Sequence, residues 1–153
     1  MAPETTNHVL PIKLLVENAV VPTQAYHGDA GYDLHATETI TLAPFERTLI
    51  PTGLAIEIPF GYAGFVLPRS GLAIKKGLSI VNAPGLIDSN YRGELKVIAI
   101  NLDPKEPITI EAGDRIAQLV IMNVEQVAFQ EVDELEDSDR GSGGFGSSGV
   151  SVS

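Results

Sequence analysis

Residues 48–67 read TLIPTGLAIEIPFGYAGFVL, and this stretch decides the fold class. It contains three short apolar runs, at 48–50, 54–58 and 63–67, which are separated by segments that contain Pro and Gly. Proline and glycine interrupt regular structure, and these runs are shorter than ordinary helices. The stretch therefore predicts short β-strands connected by tight turns.

The same pattern extends from Val9 to about Val127 and predicts an all-β domain. Apolar and polar residues alternate at 94–97 and 109–111, which is typical of strands with one buried face. Many short strands at regular spacing favour a sandwich or barrel over alternating strands and helices. Further strands are expected at Ile12–Val16, Thr39–Leu42, Leu78–Val81, Leu95–Leu102, Ile108–Ile110 and Ile116–Met122.

One segment, Ser70–Gly77, is expected to form a short helix. Ser70 is a suitable N-cap, and the segment ends in Lys75-Lys76-Gly77, where cations and glycine suit a helix C-terminus. A helix of one or two turns leaves the all-β assignment unchanged.

Composition restricts the function classes. The chain has 153 residues, 44% of them hydrophobic, which suits one compact domain. A net charge of -10 argues against binding to nucleic acid or to anionic membranes, although local cations can still hold a small anion. The absence of cysteine excludes disulfides, thiolate catalysis and cysteine-ligated zinc. The sequence lacks a signal-peptide pattern and an apolar run of roughly 20 residues, so we expect a cytoplasmic protein.

Composition also divides the chain. Residues 1–8 are expected to form a flexible leader, residues 9–130 the β domain, and residues 131–139, with six acids, an acidic spacer. Residues 140–153 are rich in glycine, which by composition alone is typical of a flexible arm. An ordered arm would instead act as a lid, with Arg140 on phosphate and Phe145 over a base.

Two segments of the β domain suit a phosphate site, and each also has a structural interpretation. Asp33 is either a turn acid or a carboxylate that holds the water ligands of Mg²⁺. Arg69-Ser70-Gly71 is either a capped helix start with a surface arginine or a phosphate cradle, because helix N-termini present N–H groups to anions.

Two further segments supply a candidate base and an amide. Asp88-Ser89-Asn90 is typical of a hairpin turn, yet Asp88 also suits a general base and Tyr91 a flat wall against a ring or sugar. Gln118 lies in an apolar strand and requires hydrogen-bond partners, so it is either structural or orients a water or phosphate. Seven of the ten cations lie in or beside the five segments: Arg69, Lys75, Lys76, Arg92, Lys96, Arg115 and Arg140.

Together, five ordered motifs resemble those of the trimeric dUTPase family. They are AGYDLHA (30–36), PRSGLAIKKG (68–77), GLIDSNYRGELKV (85–97), GDRIAQLVI (113–121) and RGSGGFGSSG (140–149). The resemblance implies a jelly-roll-like β domain, a distorted barrel or sandwich, which forms a homotrimer with active sites shared between subunits and a C-terminal arm exchanged between them. It also implies Mg²⁺-dependent hydrolysis of dUTP to dUMP and pyrophosphate, which supplies dUMP for thymidylate synthesis and keeps uracil out of DNA.

The resemblance assigns catalytic and phosphate-binding roles. Asp88 would activate the water that attacks the α-phosphorus, Gln118 would help to hold this water, and pyrophosphate would leave in line. The triphosphate would hold Mg²⁺, with Asp33 acting through a coordinated water. The expected phosphate contacts are Arg69, Ser70, Gly71 and Arg140.

The resemblance also assigns a pocket for uracil and deoxyribose. The expected contacts are Asn82, Gly85, Leu86, Ile87, Tyr91, Lys96, Phe145 and Gly146. A tight hairpin at 82–87 would exclude a 5-methyl group, and Tyr91 would crowd a 2′-hydroxyl. Two alternatives stay open: a dCTP deaminase of the same fold, with a different acid near Ser70 and Asp88, and a non-catalytic protein that responds to nucleotide.

Overall fold

The computed structural model describes residues 8–149 and 151. Within this range the chain forms eleven strands and one helix. The strands are β1 (Ile12–Leu14), β2 (Tyr32–His35), β3 (Ile40–Leu42), β4 (Arg47–Pro51), β5 (Leu54–Ile56), β6 (Tyr62–Leu67), β7 (Leu78–Ile80), β8 (Gly85–Ile87), β9 (Lys96–Asn101), β10 (Ile108–Ile110) and β11 (Arg115–Asn123), and helix α1 (Ser70–Lys76) lies between β6 and β7. The mostly β prediction is therefore confirmed.

All strand pairs are antiparallel. The largest sheet has the order β2-β11-β6-β8, a second sheet has the order β4-β9-β7, and two pairs, β1-β5 and β10-β3, complete the fold. In the four-stranded sheet, Gln118 of β11 lies opposite Asp33 of β2 and also opposite Leu67 of β6. This register brings three sequence-distant segments to one part of the sheet.

The core is one cluster of buried Leu, Ile, Val and Ala side chains. Strand β9 buries Val97, Ala99 and Asn101 and turns the alternate residues outward, which confirms the alternation seen at 94–97. Asn101 is fully buried, and its amide donates to the carbonyls of Leu42 (3.1 Å) and Glu106 (2.8 Å) while Oδ1 accepts from Asp103 N–H (2.8 Å). These bonds offset the cost of burying a polar group.

Helix α1 begins one residue earlier than the sequence indicated. Arg69 is the N-cap, with extended backbone angles and no side-chain capping bond, so the expectation that Ser70 caps the helix was wrong. Gly77 closes the helix in the left-handed region (φ 75°) and donates its N–H to the Ala73 carbonyl at 3.0 Å, as expected for a C-terminal glycine. Ser70 is thus the first helical residue, at the end that carries unpaired N–H groups.

The turn at Asp88-Ser89-Asn90 does not form a hairpin. The Tyr91 N–H donates to the Asp88 carbonyl at 3.1 Å, so the turn itself is present. However, β8 pairs with β6, whereas β9 pairs with β4 and β7. The turn therefore carries the chain from one sheet to another, because packing of the two sheets overrides pairing between sequence neighbours.

Among the described residues, no helix has the length and apolarity that crossing a bilayer requires. Residues 1–7 of the expected leader lie outside the described range, and His8 accepts or donates a hydrogen bond with the Tyr62 hydroxyl at 2.7 Å.

Candidate active site

One group of candidate residues gathers where β2, β11 and the end of β6 meet. Asp33 lies between two guanidiniums: its Oδ1 is 3.7 Å from Arg69 Nε, and its Oδ2 is 3.6 Å from Arg115 Nη1. Arg69 Nη1 also donates to the Arg115 carbonyl at 3.1 Å. We call Asp33, Arg69, Arg115 and Gln118 the cationic cluster. Two arginines against one carboxylate leave it with a net positive charge, which suits a phosphate.

The Gln118 side chain has a fixed orientation in this cluster. Its Nε2 donates to the Pro68 carbonyl at 2.9 Å, so the partner that a glutamine in an apolar strand requires is the residue before Arg69. A β-carbon on Gly31 would overlap Gln118 Oε1 and lie 3.0 Å from its Cδ. The missing side chain at Gly31 therefore creates the space that the amide fills. The sequence did not predict this role of Gly31, because a glycine beside Tyr32-Asp33 is typical of a turn.

His35 lies beside the cluster on β2. Burial lowers the pKa of His35 below its usual value, Asp33 opposes this shift, and Arg115 and Arg69 add to it. The His35 Nδ1 is buried and has no hydrogen-bond partner among the described residues. The ring is therefore favoured in its neutral form near the positively charged group.

A second group of candidates lines a cleft of about 500 Å³ on the other side of β6. Seven of the predicted contacts line it: Asn82, Gly85, Leu86, Ile87, Asp88, Tyr91 and Lys96. We call this the β8 cleft. Its volume is within the usual range for small-ligand pockets.

The β8 cleft has an unpaired strand edge in its wall. Strand β8 is the last strand of its sheet, and pairing with β6 matches Gly85 to Val66 and Leu86 to Phe65. Its other edge has no strand partner in the described sheet, so backbone N–H and C=O groups there can bond to a ligand. Such groups are well suited to the alternating donors and acceptors of a base.

The turn beside the cleft is held rigidly. Tyr91 donates its hydroxyl proton to the Glu94 carbonyl at 2.9 Å. Arg92 Nη1 donates to the carbonyls of Ser89 (2.7 Å) and Tyr91 (3.1 Å), and its Nη2 lies 3.2 Å from Glu57 Oε1. These contacts fix the turn that carries Asp88, and neither Arg92 nor Glu57 was expected to have this role.

The candidates Arg140, Phe145 and Gly146 lie in the C-terminal segment, and no contact among the described residues joins them to either group. Arg140 Nε donates to the Gly143 carbonyl at 2.6 Å within its own loop, and the Phe145 ring is fully exposed. In the described residues, neither Arg140 nor Phe145 lines the β8 cleft, and neither do Arg69, Ser70 and Gln118. One chain therefore presents the candidate site in three separate pieces.

A sequence model of the dUTPase family matches residues 17–149, a range that contains all five motifs. The chain belongs to the dUTPase family. The family resemblance drawn from the five motifs is thereby confirmed.

Relatives in the dUTPase family align over most of their length. The chain is 60% identical over 129 residues to the deoxyuridine 5′-triphosphate nucleotidohydrolase of Corynebacterium glutamicum, covering 84% of this chain and 87% of the relative. It is 54% identical over 140 residues to the enzyme of the same name from Nocardia farcinica, covering 92% of this chain and 85% of the relative.

Solved dUTPase structures share the fold. A variant of the dUTPase of Staphylococcus bacteriophage 80alpha, solved with dUpNHpp, superposes with a TM-score of 0.86 at 37% identity, covering 95% of this chain and 100% of that chain. A variant dUTPase from phage phi11 of S. aureus, whose structure describes coordination of a structural Mg(II) ion, gives a TM-score of 0.78 at 32% identity and covers 85% of this chain and 100% of that chain.

Proposed function

We propose that this protein is a dUTP diphosphatase, which hydrolyses dUTP to dUMP and pyrophosphate. Membership of the dUTPase family and the names of relatives at 54% and 60% identity support this activity. The observation that carries it is the β8 cleft, where the Asp88 carboxylate and the Tyr91 ring line one pocket beside an unpaired strand edge. The product would supply thymidylate synthesis, and removal of the substrate would keep uracil out of DNA.

The β8 cleft binds the nucleoside in this proposal. Backbone groups of Gly85, Leu86 and Ile87, together with the Asn82 amide, bond to the edge of uracil, while Tyr91 packs against the sugar. Buried polar groups matched to one base reject other bases, because a mismatch leaves them unpaired. Lys96 lines the same cleft and contacts the nucleotide.

The cationic cluster and the arm bind the triphosphate. Arg69 and the helix start at Ser70-Gly71 provide a guanidinium and N–H groups, and a β-carbon on Gly71 would meet open space, so a phosphate can approach its backbone closely. Arg140 pairs with the terminal phosphate, and Phe145 and Gly146 close over the base.

Asp33 fits a role toward Mg²⁺ through water. The described residues contain no group of three side chains able to ligate a metal, and a lone carboxylate beside two guanidiniums suits an ion held mainly by phosphate oxygens. When bound, Mg²⁺ neutralises charge on the phosphates.

Asp88 acts as the general base. Its carboxylate accepts a proton from a water whose position Gln118 helps to fix, and the water oxygen bonds to the α-phosphorus. The bond from the α-phosphorus to the bridging oxygen breaks, and its electron pair leaves with pyrophosphate. Positioned donors that meet the developing charge supply most of the acceleration in such reactions.

The three pieces of the site come together in a homotrimer. Residues 124–135 follow β11 without regular secondary structure and expose Val127 (67%), Phe129 (96%) and Leu135 (86%), an apolar set that a neighbouring subunit would cover. We infer that the β domain, residues 9–130, contributes its cleft to one active site of the trimer and its cationic cluster to another. The acidic spacer 131–139 then leads the lid, residues 140–153, to a site on another subunit.

The activity is tested by pyrophosphate release from dUTP with and without Mg²⁺, using dCTP, dTTP and UTP as controls. Asp88→Asn keeps the shape of the side chain but removes the base, so turnover is expected to fall by about 10²- to 10⁴-fold while nucleotide binding is retained. Normal hydrolysis of dUTP by Asp88→Asn would refute the assignment of the base, and uracil nucleotide formed from dCTP would indicate a deaminase.

Sharing of sites between subunits is tested by complementation. Asp88→Asn and Gln118→Ala, each of which should lose most of its turnover alone, are co-expressed in equal amounts and purified as mixed oligomers. If each site takes Asp88 from one subunit and Gln118 from another, about a quarter of the sites are intact by random assembly. No recovery of activity in mixed trimers would place both residues in one subunit's site and overturn the proposal.

A further inference from the structure

We propose that Gly93 is a positioning residue for substrate specificity, because it holds the Tyr91 ring in the place where the ring excludes a 2′-hydroxyl. This inference rests on the proposed function, in which Tyr91 packs against the sugar. Gly93 has neither a charge nor a side chain, so its residue type alone does not indicate this role.

The geometry around Gly93 carries the inference. The Tyr91 side chain folds back over the Gly93 backbone, and its hydroxyl donates to the Glu94 carbonyl at 2.9 Å. A β-carbon on Gly93 would overlap the Tyr91 hydroxyl oxygen and lie 2.6 Å from Cζ and 3.0 Å from Cε2 of the ring. Real side chains do not approach so closely, so any residue other than glycine must displace the hydroxyl end of the ring.

The backbone does not require a glycine at this position. Gly93 does not have a positive φ, in contrast to Gly61 (φ 89°) and Gly77 (φ 75°). A positive φ therefore does not disfavour alanine here, and the three heavy atoms nearest to its β-carbon would all belong to the Tyr91 side chain. The ring is half-exposed and can turn toward solvent, so we expect Gly93→Ala to fold with a displaced Tyr91.

Displacement of the ring has a specific consequence. The hydroxyl loses its bond to the Glu94 carbonyl, and the ring is no longer fixed against the β8 cleft. A mobile wall excludes a 2′-hydroxyl less strictly than a fixed one. In Gly93→Ala we expect the ratio of kcat/KM for dUTP to that for UTP to fall about tenfold, the effect of losing one well-placed contact.

Two comparisons separate positioning from general damage. Gly61→Ala introduces strain at a positive φ with open space around its β-carbon, so it should lower stability but leave the dUTP to UTP ratio unchanged. In a Tyr91→Ala background the ring is absent, so adding Gly93→Ala should leave the ratio where Tyr91→Ala alone sets it. If Gly93→Ala alone fails to fold, the same double variant should restore folding.

The inference is overturned if Gly93→Ala keeps the wild-type ratio, or if it lowers the ratio equally in the presence and absence of the Tyr91 ring. It is also overturned if Gly93→Ala fails to fold and the double variant does too. A wild-type protein that does not prefer dUTP over UTP would instead refute the proposed function.

Discussion

Gly31→Ala tests whether the orientation of Gln118 matters for catalysis. Gly31 does not have a positive φ, so alanine suits its backbone. The added β-carbon would overlap Gln118 Oε1 and lie 3.0 Å from Cδ and 3.2 Å from Cβ of that side chain. The Gln118 Cβ is fixed by strand β11, so the amide must rotate away and give up its bond to the Pro68 carbonyl.

The structure sets the size of the effect. Loss of one neutral hydrogen bond costs about 1 kcal/mol, and a strained rotamer adds roughly 0.5–1.5 kcal/mol. The free energy of unfolding should therefore fall by about 2 kcal/mol, which lowers Tm by roughly 4–8 °C for a chain of this size. If Gln118 holds the attacking water, the same displacement should lower kcat by about 10- to 100-fold, since each factor of ten corresponds to about 1.4 kcal/mol of barrier.

The assay measures kcat and KM for dUTP by pyrophosphate release, together with Tm. Gln118→Ala calibrates the result, because displacing the amide cannot cost more turnover than removing it. Two outcomes would refute the inference that Gly31 sets the orientation of Gln118 for catalysis. One is a Gly31→Ala variant with wild-type kcat, and the other is a folded Gly31→Ala variant that loses far more turnover than Gln118→Ala.

Three further predictions concern the pH dependence, the core and the arm. Burial lowers the pKa of His35 in the folded chain. The stability that His35 contributes is therefore present above the unfolded pKa of about 6.5 and is lost as pH falls through the lower folded pKa. In chemical denaturation between pH 7 and 5, the free energy of unfolding of His35→Gln should depend less on pH than that of the wild type. Asn101→Ala should lower the free energy of unfolding by about 2–4 kcal/mol because three side-chain hydrogen bonds are lost in the core, whereas the exposed control Asn123→Ala should change it by less than about 0.5 kcal/mol; equal urea midpoints for the two variants would contradict this. Removal of residues 140–153 should preserve oligomer size and Tm but lower kcat by about a hundredfold, because it deletes donors to the phosphates; full activity would contradict a lid role.

Local signals in the sequence were sufficient for most of the strands. The apolar runs at 54–58 and 108–110 became β5 and β10, because Pro and Gly on either side leave no room for a helix. Strand β2 was not anticipated, since Tyr32–His35 lacks a clear alternation, and Gly85–Ile87 was expected only as part of a hairpin, whereas β8 pairs with β6. Their strand conformation depends on pairing with β11 and β6, which is a tertiary effect.

The chemistry of the candidate site was more predictable than its supports. A carboxylate, a guanidinium or an amide among apolar residues is a candidate site residue, because a polar group there requires either a hydrogen-bond partner or a ligand. Asp33, Arg69 and Gln118 do lie together. Gly31 and Arg115 could not be assigned in the same way. Glycine at 31 matters only because β2 and β11 place it against Gln118, and Arg115 matters only because the same register brings it to Asp33.

The β8 cleft and the cationic cluster lie in different parts of one chain, so substitutions in one should have little effect on the other. The β8 cleft is lined by residues of β4, β6, β7, β8 and β9 and of the turn before β9, whereas the cationic cluster depends on β2, β11, the end of β6 and the start of α1. The two pieces share only β6, so a change in the cleft should alter nucleoside selection with little effect on the phosphate contacts, and the reverse should hold for the cluster. Gly93→Ala and Gly31→Ala make this separation measurable, because the first should change the choice between dUTP and UTP while the second should lower kcat for both. If the two variants altered selectivity and turnover in the same proportion, the pieces would not act independently, and the division of roles between cleft and cluster would be wrong.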